Sequence, residues 1–413
     1  MHLKRTRYFI VLLLVLSVAG LYRVDAQTDD NYRLVGYYLS YDIYEQGYLV
    51  TDIPADQLTH LIYGHATISD NGQCQSSDEW ADTGFRYPGD RETERMRGNF
   101  KQLRLLKENN PDLQILLAIG GWDFSENFSQ AASTPELRLR LARSCAAFMR
   151  EYGFDGIDID WRYPIAGGAE DTIGREEDGT NLTLLIAEFR AQLDEWAERD
   201  EQTYLLTMTA PPFAQLVQDM EIDVLHVDVD WINVTTYGFH GEWSEAASHH
   251  APLFSSSQDP REETVSQFYN VNAAVTAYLD AGVPASKILV GIPFYAQAWS
   301  DIQDNNYFGL YEETDSVPLG TRPGGVLYYG DLGPLLASEN YVRFFDDEAK
   351  APWLYNPTER VVISYEDAQS IRNKTDYIRA LDLGGVMVWE LSFDDEEHTL
   401  LNEIYRGLNL NAP

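Results

Sequence analysis

Eight apolar runs alternate along the chain with longer amphipathic segments, and this alternation restricts the fold more than any other feature. Short runs rich in Val, Ile, Leu and aromatic residues are typical of buried strands. Repeated βα units place parallel strands in one layer and cover them with helices. The sequence therefore predicts an α/β fold. The candidate strands are Leu34 to Leu39, His60 to His65, Gln114 to Ile119, Gly156 to Trp161, Leu205 to Ala210, Trp231 to Tyr237, Ile288 to Tyr295 and Gly385 to Trp389.

Segments between these strands carry apolar residues at three- and four-residue spacings, which predicts helices packed against a sheet. Three such segments are Pro135 to Tyr152, Asn181 to Glu198 and Val265 to Ala281. From Trp299 to about Arg360 the helical pattern gives way to Gly, Pro, Asp and Tyr with short strand-like pieces. We interpret this stretch as an insertion between the seventh and eighth strands. A chain of 413 residues can bury a large core, which is consistent with a single domain.

The fourth candidate strand carries carboxylates at alternate positions. Side chains alternate across a strand, so Asp158 and Asp160 share one face. The next residue on that face is Arg162. An arginine keeps its charge at physiological pH, so it can hold or orient a group but cannot act as a general acid. Position 162 therefore limits the chemistry that this strand can support.

Five short motifs lie on or beside the candidate strands. They are Leu117 to Trp122, Phe154 to Pro164, Tyr237 to Gly241, Gly291 to Tyr295 and Gly384 to Trp389. In order and content they resemble motifs of family-18 glycoside hydrolases, the chitinases and their relatives. The second resembles the Asp-x-x-Asp-x-Asp-x-Glu signature, with Arg162 in place of the final Glu. The resemblance implies a TIM (β/α)8 barrel with a small α+β insertion between strands seven and eight, at about residues 300 to 360.

The chemistry of a TIM barrel lies at the C-terminal ends of its strands. There the resemblance implies a groove lined with aromatic side chains, on which sugar rings stack. Trp389 would form the floor at the cleavage subsite, and Trp122 and Trp243 would lie on the leaving-group side. Tyr37 and Tyr295 would complete the groove.

Hydrolysis in this family is substrate-assisted. The resemblance implies that the Glu at the end of the signature protonates the glycosidic oxygen while the N-acetyl carbonyl of the substrate attacks the anomeric carbon. Asp160 would steady the acetamido nitrogen, Asp158 would tune Asp160 by sharing charge, and Tyr237 would hold the acetamido oxygen. This chain keeps those three residues and lacks the proton donor.

The chain also departs from the family at other polar positions. Gly238 stands where strand six usually has Asp, and Thr235 where it has Met. Further departures are Ala118 for Ser, His65 for an aromatic residue and Gln297 for Arg. The guanidinium of Arg162 could fill the space beside Gly238 and pair with Asp160 or Asp158. Because a general acid contributes several orders of magnitude in rate, we expect little hydrolysis, whereas binding by stacking need not suffer.

The N-terminus has the layout of a secretory signal peptide at residues 1 to 26, followed by a family-18-like domain at 27 to 413. Lys4, Arg5 and Arg7 precede an apolar run from Phe9 to Ala19, and Val24-Asp25-Ala26 is a small-residue cleavage site. The run is short for a membrane span, although an uncleaved anchor remains an alternative.

Charge and cysteine content restrict the partners. Removal of residues 1 to 26 takes away four basic residues and one acidic residue, so the net charge moves from -36 to -39. Such a surface repels nucleic acid and anionic lipid and suits a neutral or cationic glycan, although solubility or a salty habitat would also explain it. Cys74, in a predicted loop, and Cys145, in a predicted helix, could form one disulfide or remain apart. We see no Cys/His cluster with metal-ligand spacing and expect no cofactor.

These observations predict a secreted, monomeric chitinase-like protein that binds chitin or N-acetylglucosamine-containing oligosaccharides, with hydrolysis lost or severely impaired. One alternative is an active family-18 glycosidase with a relocated acid, for which Glu242 is the nearest candidate in the sequence. The other is a non-enzymatic scaffold whose cleft binds a protein partner.

Overall fold

The computed structural model describes residues 32–91, 93, 96–170, 172–303 and 307–410. The predicted signal peptide at residues 1 to 26 lies outside this part of the chain. The described strands are β1 (Arg33–Leu39), β2 (His60–Ile68), β3 (Cys74–Ser76), β4 (Gln114–Gly121), β5 (Gly156–Trp161), β6 (Leu205–Ala210), β7 (Trp231–Val234), β8 (Ile288–Pro293), β9 (Tyr295–Trp299), β10 (Val326–Tyr328), β11 (Val342–Asp346), β12 (Ala351–Asn356), β13 (Val361–Ser364) and β14 (Gly385–Trp389).

Eight of these strands form a closed parallel barrel. They follow the order β1, β2, β4, β5, β6, β7, β8 and β14, and the ring closes because β1 pairs with both β2 and β14. The barrel strands are almost entirely buried on both faces, as their continuous apolar runs require. The interior is filled by side chains, among them Tyr37, Leu116 and Trp231. The predicted TIM barrel is confirmed.

Helices surround the barrel. Their bounds are α1 (Asp42–Glu45), α2 (Gly98–Asn109), α3 (Phe128–Ala132), α4 (Pro135–Tyr152), α5 (Asp178–Asp200), α6 (Ala214–Asp219), α7 (Ile222–Leu225), α8 (Glu263–Phe268), α9 (Val271–Asp280), α10 (Gly333–Leu336), α11 (Ala368–Ala380) and α12 (Thr399–Gly407). None of the helices described here is long and apolar enough to cross a membrane.

Two predicted elements differ from the structure. The strand predicted as Trp231 to Tyr237 stops at Val234. The amides of Thr236 and Tyr237 donate hydrogen bonds to the carbonyls two residues before them, and this turns the chain out of the sheet. The helix predicted from Val265 to Ala281 is divided into α8 and α9. Asn270 divides it, because its side chain caps α9 by accepting a hydrogen bond from the backbone of Ala273.

Residues between β8 and β14 form a second sheet. The sheet is antiparallel, with the order β10, β9, β13, β12, β11, and the short helix α10 lies between β10 and β11 in the sequence. The predicted strand Ile288 to Tyr295 is therefore two strands, since β8 ends at Pro293 and Tyr295 begins β9. The insertion expected between the seventh and eighth barrel strands is present.

A disulfide joins β3 to α4. Cys74, which we expected in a loop, lies at the start of β3 and is bonded to Cys145, 71 residues further along the chain. The bridge therefore fixes β3, which pairs with the end of β2, to helix α4 on the outside of the barrel.

We predict that replacing both cysteines, as Cys74→Ser with Cys145→Ser, lowers the free energy of unfolding by about 4 kcal/mol, because a cross-link over a loop of this length restricts the unfolded chain. Urea unfolding of the double variant and of the oxidised protein measures the difference. A matched control is the wild-type protein after reduction of the disulfide. A loss below about 1 kcal/mol would show that the bridge contributes little.

Candidate active site

Asp158 lies inside the barrel, where four neutral side chains donate hydrogen bonds to it. Its Oδ1 accepts from Thr207 Oγ1 at 2.5 Å and Asn233 Nδ2 at 3.0 Å. Its Oδ2 accepts from the Tyr37 hydroxyl at 2.7 Å and Thr209 Oγ1 at 3.0 Å. These donors come from β1, β6 and β7. The carboxyl group is therefore fixed by strands on both sides of β5.

Asp160 lies on the same face of β5 and pairs with Arg162. The guanidinium donates from Nε to Asp160 Oδ1 at 2.7 Å and from Nη2 to Oδ2 at 3.0 Å. Both side chains are buried, and such two-bond pairs are the strongest arrangement of these groups. Of the two partners that the sequence allowed for Arg162, the structure selects Asp160.

The two carboxyl groups have opposite electrostatic environments. Burial raises the pKa of Asp158, and the charge of Asp160 adds to that shift. Burial is the largest influence on Asp160 and opposes its ionisation, but the charge and hydrogen bonds of Arg162, together with His65, outweigh burial and lower the pKa of Asp160. Although burial alone would lower the pKa of Arg162, Asp160 raises it well above its usual value. Arg162 therefore stays charged and does not release a proton at physiological pH.

Two further groups surround the ion pair. The guanidinium carbon of Arg162 lies 5.3 Å from the ring centre of Trp389, within the range of a cation–π contact. His65 Nε2 lies 3.6 Å from Asp160 Oδ2. The charged centre thus lies against the ring that we expected to form the cleft floor.

The structure gathers some of the expected aromatic residues around one cavity. It has a volume of about 250 Å³ and is lined by Trp243, Tyr295 and Trp389 together with Tyr41, Gly238, His240, His250, Gln297, Arg322, Val326, Tyr328 and Phe393. Trp122 follows β4 and is about half exposed, but it is not part of this lining. A larger groove of about 730 Å³ lies along α8 and α9 and includes none of the predicted site residues.

Tyr37 was expected to offer a stacking face, and the structure places it elsewhere. Its side chain is fully buried beneath Trp389, with ring centres 5.2 Å apart. Its hydroxyl donates a hydrogen bond to Asp158. Because neither face of the ring is accessible, Tyr37 supports the carboxyl network rather than the groove surface.

Tyr237 keeps a free hydroxyl inside the site. The oxygen is buried, and none of the described residues makes a hydrogen bond to it. Burial raises the pKa of Tyr237, although the Arg162 charge opposes the shift, so the hydroxyl stays protonated. Tyr237 therefore keeps an unused hydrogen-bond donor, although it is not part of the cavity lining.

Gly238 has room beside it and an unusual backbone. A β-carbon at this position would meet only the Tyr295 hydroxyl, at 3.7 Å. Its φ is +65°, in a region of backbone conformation that residues other than glycine adopt only at a cost in free energy. Its amide donates to His250 Nδ1 at 3.3 Å. An aspartate would fit here sterically but would be strained.

The candidate for a relocated acid lies at the surface. Glu242 is exposed, and its carboxylate lies against Gly324 of the insertion, 2.8 Å from where a β-carbon would stand. Asp160, in contrast, is fully buried.

Several cavity residues were missed from the sequence. Tyr41 follows β1 by two residues, so its place at a strand end could have been inferred. Arg322 and Tyr328 belong to the insertion, which has no periodic pattern to locate them. No cluster of three or more His, Cys, Asp or Glu side chains suited to a metal is found in the described part of the chain.

Comparison with known proteins identifies relatives of the whole barrel. The profile of Glycosyl hydrolases family 18 matches residues 33–394. Chitinase A1 of Niallia circulans is 36% identical over 98% of this chain, which spans 63% of that protein's length. Endochitinase 1 of Metarhizium robertsii is 34% identical over 87% of this chain and 80% of its own.

Solved structures agree with these relatives. Chitinase ChiA74 from Bacillus thuringiensis matches with a TM-score of 0.87 and 32% identity, covering 93% of this chain and 70% of its own. The Ostrinia furnacalis Group IV chitinase matches with a TM-score of 0.81 and 30% identity, covering 92% and 100%.

We predict that Arg162→Met destabilises the protein by about 3 to 5 kcal/mol at pH 7, because Asp160 would remain buried without its partner. The ion pair stabilises the fold above the unfolded pKa of Asp160, about 3.9, and this contribution is lost as the pH falls through the lowered folded value. The difference between the proteins should therefore shrink in acid. Urea unfolding at several pH values measures it.

The matched control for this prediction is Arg162→Met combined with Asp160→Asn, which removes both charges. The double variant should be more stable than the single one at pH 7. If the single variant is as stable as the wild type, the pair is not an important constraint on this site.

Proposed function

Because the chain belongs to family 18 of the glycosyl hydrolases and carries an arginine in its acidic motif, we propose that it is a secreted chitinase-like protein. It binds chitin or N-acetylglucosamine-containing oligosaccharides, and its hydrolytic activity is lost or severely impaired. The observation that carries this proposal is the two-bond pair of Arg162 with Asp160. The resemblance of the motif implies that Arg162 stands where the family has its proton donor.

The loss of hydrolysis follows from the chemistry of these groups. Arg162 cannot protonate a leaving oxygen, because its pKa is raised further by Asp160. Asp160, the residue expected to steady the acetamido nitrogen, already accepts two hydrogen bonds from Arg162. The missing acid alone removes roughly 10² to 10⁴ in rate.

Binding relies on groups that remain available. Trp243 is exposed, Trp389 is partly exposed, and both line the cavity with Tyr295. The Tyr237 hydroxyl is free to donate to an acetamido oxygen. The Cys74–Cys145 bridge supports secretion, since disulfides persist in oxidising compartments.

We predict that chito-oligosaccharides bind with micromolar to millimolar affinity and that Trp389→Ala weakens this binding by roughly 1 to 3 kcal/mol through lost stacking. Isothermal titration calorimetry measures both values. The matched control is Trp196→Ala, since Trp196 lies on α5 between Arg150 and Arg199, away from the cavity. An absence of binding, or an equal loss of affinity in both variants, would contradict the proposal that the cavity binds a glycan.

For activity we predict no measurable turnover of a chromogenic chito-oligosaccharide between about pH 4 and 8, against roughly 10 per second for an ordinary enzyme. Arg162→Glu should restore weak activity. Adding Gly238→Asp should raise it at least about tenfold, the contribution of one positioned group, although backbone strain at residue 238 reduces the gain. Arg162→Glu with Gly238→Ala is the control for that strain. If the aspartate adds nothing over the alanine, position 238 plays no part in the loss.

The named chitinases among the relatives favour one rival, an active family-18 glycosidase with a relocated acid. Wild-type turnover within about tenfold of an ordinary enzyme would support it. A further loss in Glu242→Gln would then identify the acid.

A further inference from the structure

Two carboxyl groups lie buried behind the wall of the cavity. Asp42 directly follows Tyr41, and Glu390 directly follows Trp389. Both carboxyl residues are fully buried, whereas Tyr41 and Trp389 line the cavity. We call Asp42 and Glu390 the acid pair. Each member is joined through one peptide unit to an aromatic residue of the cleft.

The hydrogen bonds of the acid pair are incomplete unless it holds a proton. Asp42 Oδ2 accepts from the Leu39 amide at 2.9 Å, and Glu390 Oε1 accepts from Ser392 Oγ at 3.4 Å. Asp42 Oδ1 and Glu390 Oε2 receive no hydrogen bond from any described residue. The two carboxyl groups are close enough for each to act on the ionisation of the other. Two carboxylates cannot bond, but a protonated one donates to the other.

The surroundings favour that proton. Burial, reinforced by the neighbouring Asp42, raises the pKa of Glu390 well above its ordinary value. Burial raises the pKa of Asp42 to about 7. The acid pair therefore keeps at least one proton at neutral pH, as expected for two like charges that cannot both ionise in a buried site.

The other groups that face the acid pair do not replace this proton. Arg322 of the insertion acts on both carboxyl groups and lies 5.2 Å from the Tyr41 ring centre, and its Nε donates to the Tyr328 hydroxyl. On the side of β1 and α1 stand Tyr38, Tyr41 and Tyr48. Burial raises the pKa of all three, so these hydroxyls stay neutral. The single guanidinium would face two charges if the acid pair ionised fully.

We propose that Asp42 and Glu390 are positioning residues that hold Tyr41 and Trp389 in place through a shared proton, and that loss of this proton in alkali weakens glycan binding. The pair connects the end of β1 to the end of β14, next to Arg322. When the proton passes to solvent, two buried carboxylates repel each other, and the peptide units that carry the aromatic residues move apart. This inference rests on the proposed glycan site.

The test compares chito-oligosaccharide binding at pH 6 and pH 10 in the wild type and in Glu390→Gln, by calorimetry. The wild type should lose affinity by about tenfold or more, a change of 1.4 kcal/mol. Glu390→Gln should keep the same affinity at both pH values, because its amide donates to Asp42 without titrating. Asp42→Asn serves as a second variant with the same expectation if Glu390→Gln does not fold.

Asp394→Asn is the matched control. Burial raises the pKa of Asp394 to about 7 as well, but this carboxylate is bonded to the backbone amides of Asp395, Leu400 and Leu401. Its variant should retain the alkaline loss of the wild type. An equal alkaline loss in the wild type and in Glu390→Gln overturns the proposal.

Thermal unfolding separates this inference from the proposed function. If no protein binds the glycan at any pH, the proposed function fails and the acid pair is tested by stability alone. A carboxyl with a raised folded pKa stabilises the fold in its protonated form and loses that contribution as the pH rises. The melting temperature of Glu390→Gln should then fall less in alkali than that of the wild type, and a parallel fall overturns the inference.

Discussion

The ion pair between Arg162 and Asp160 is the constraint on which the rest of the site depends. A guanidinium that donates twice to a buried carboxylate keeps both groups charged inside the barrel. The same guanidinium lies against Trp389 and acts on Tyr237. A cation thus lies against Trp389, one of the aromatic side chains that line the cleft.

The neighbouring carboxyl groups illustrate how surroundings assign different properties to identical side chains. Burial raises the pKa of Asp158 even though neutral donors from three other strands hold it, while at Asp160 the charge and hydrogen bonds of Arg162, together with His65, outweigh burial and lower the pKa. Further along the wall, Asp42 and Glu390 depend on a proton. The barrel and the ends of its strands therefore contain three different arrangements for buried carboxyl groups, and in each the surroundings determine the charge.

The barrel was predictable because its strands are continuous apolar runs, and β5, β6 and β14 begin and end where the sequence indicates. Asp158, Asp160 and Arg162 were predictable as one face because strand geometry fixes the alternation. The true place of Tyr37 was not, since strand geometry does not reveal that its ring lies beneath Trp389. Arg322 and the acid pair escaped notice because they meet only through contacts between β1, β14 and the insertion, which no local pattern encodes.

A crystal structure of the protein after prolonged incubation with a chito-oligosaccharide tests the central claim most directly. The account predicts an intact oligosaccharide with a sugar ring on Trp389 and with Arg162 still paired to Asp160. Cleaved sugar in the cleft, or an oligosaccharide bound with Arg162 displaced from Asp160 and a carboxyl group at the glycosidic oxygen, would contradict it.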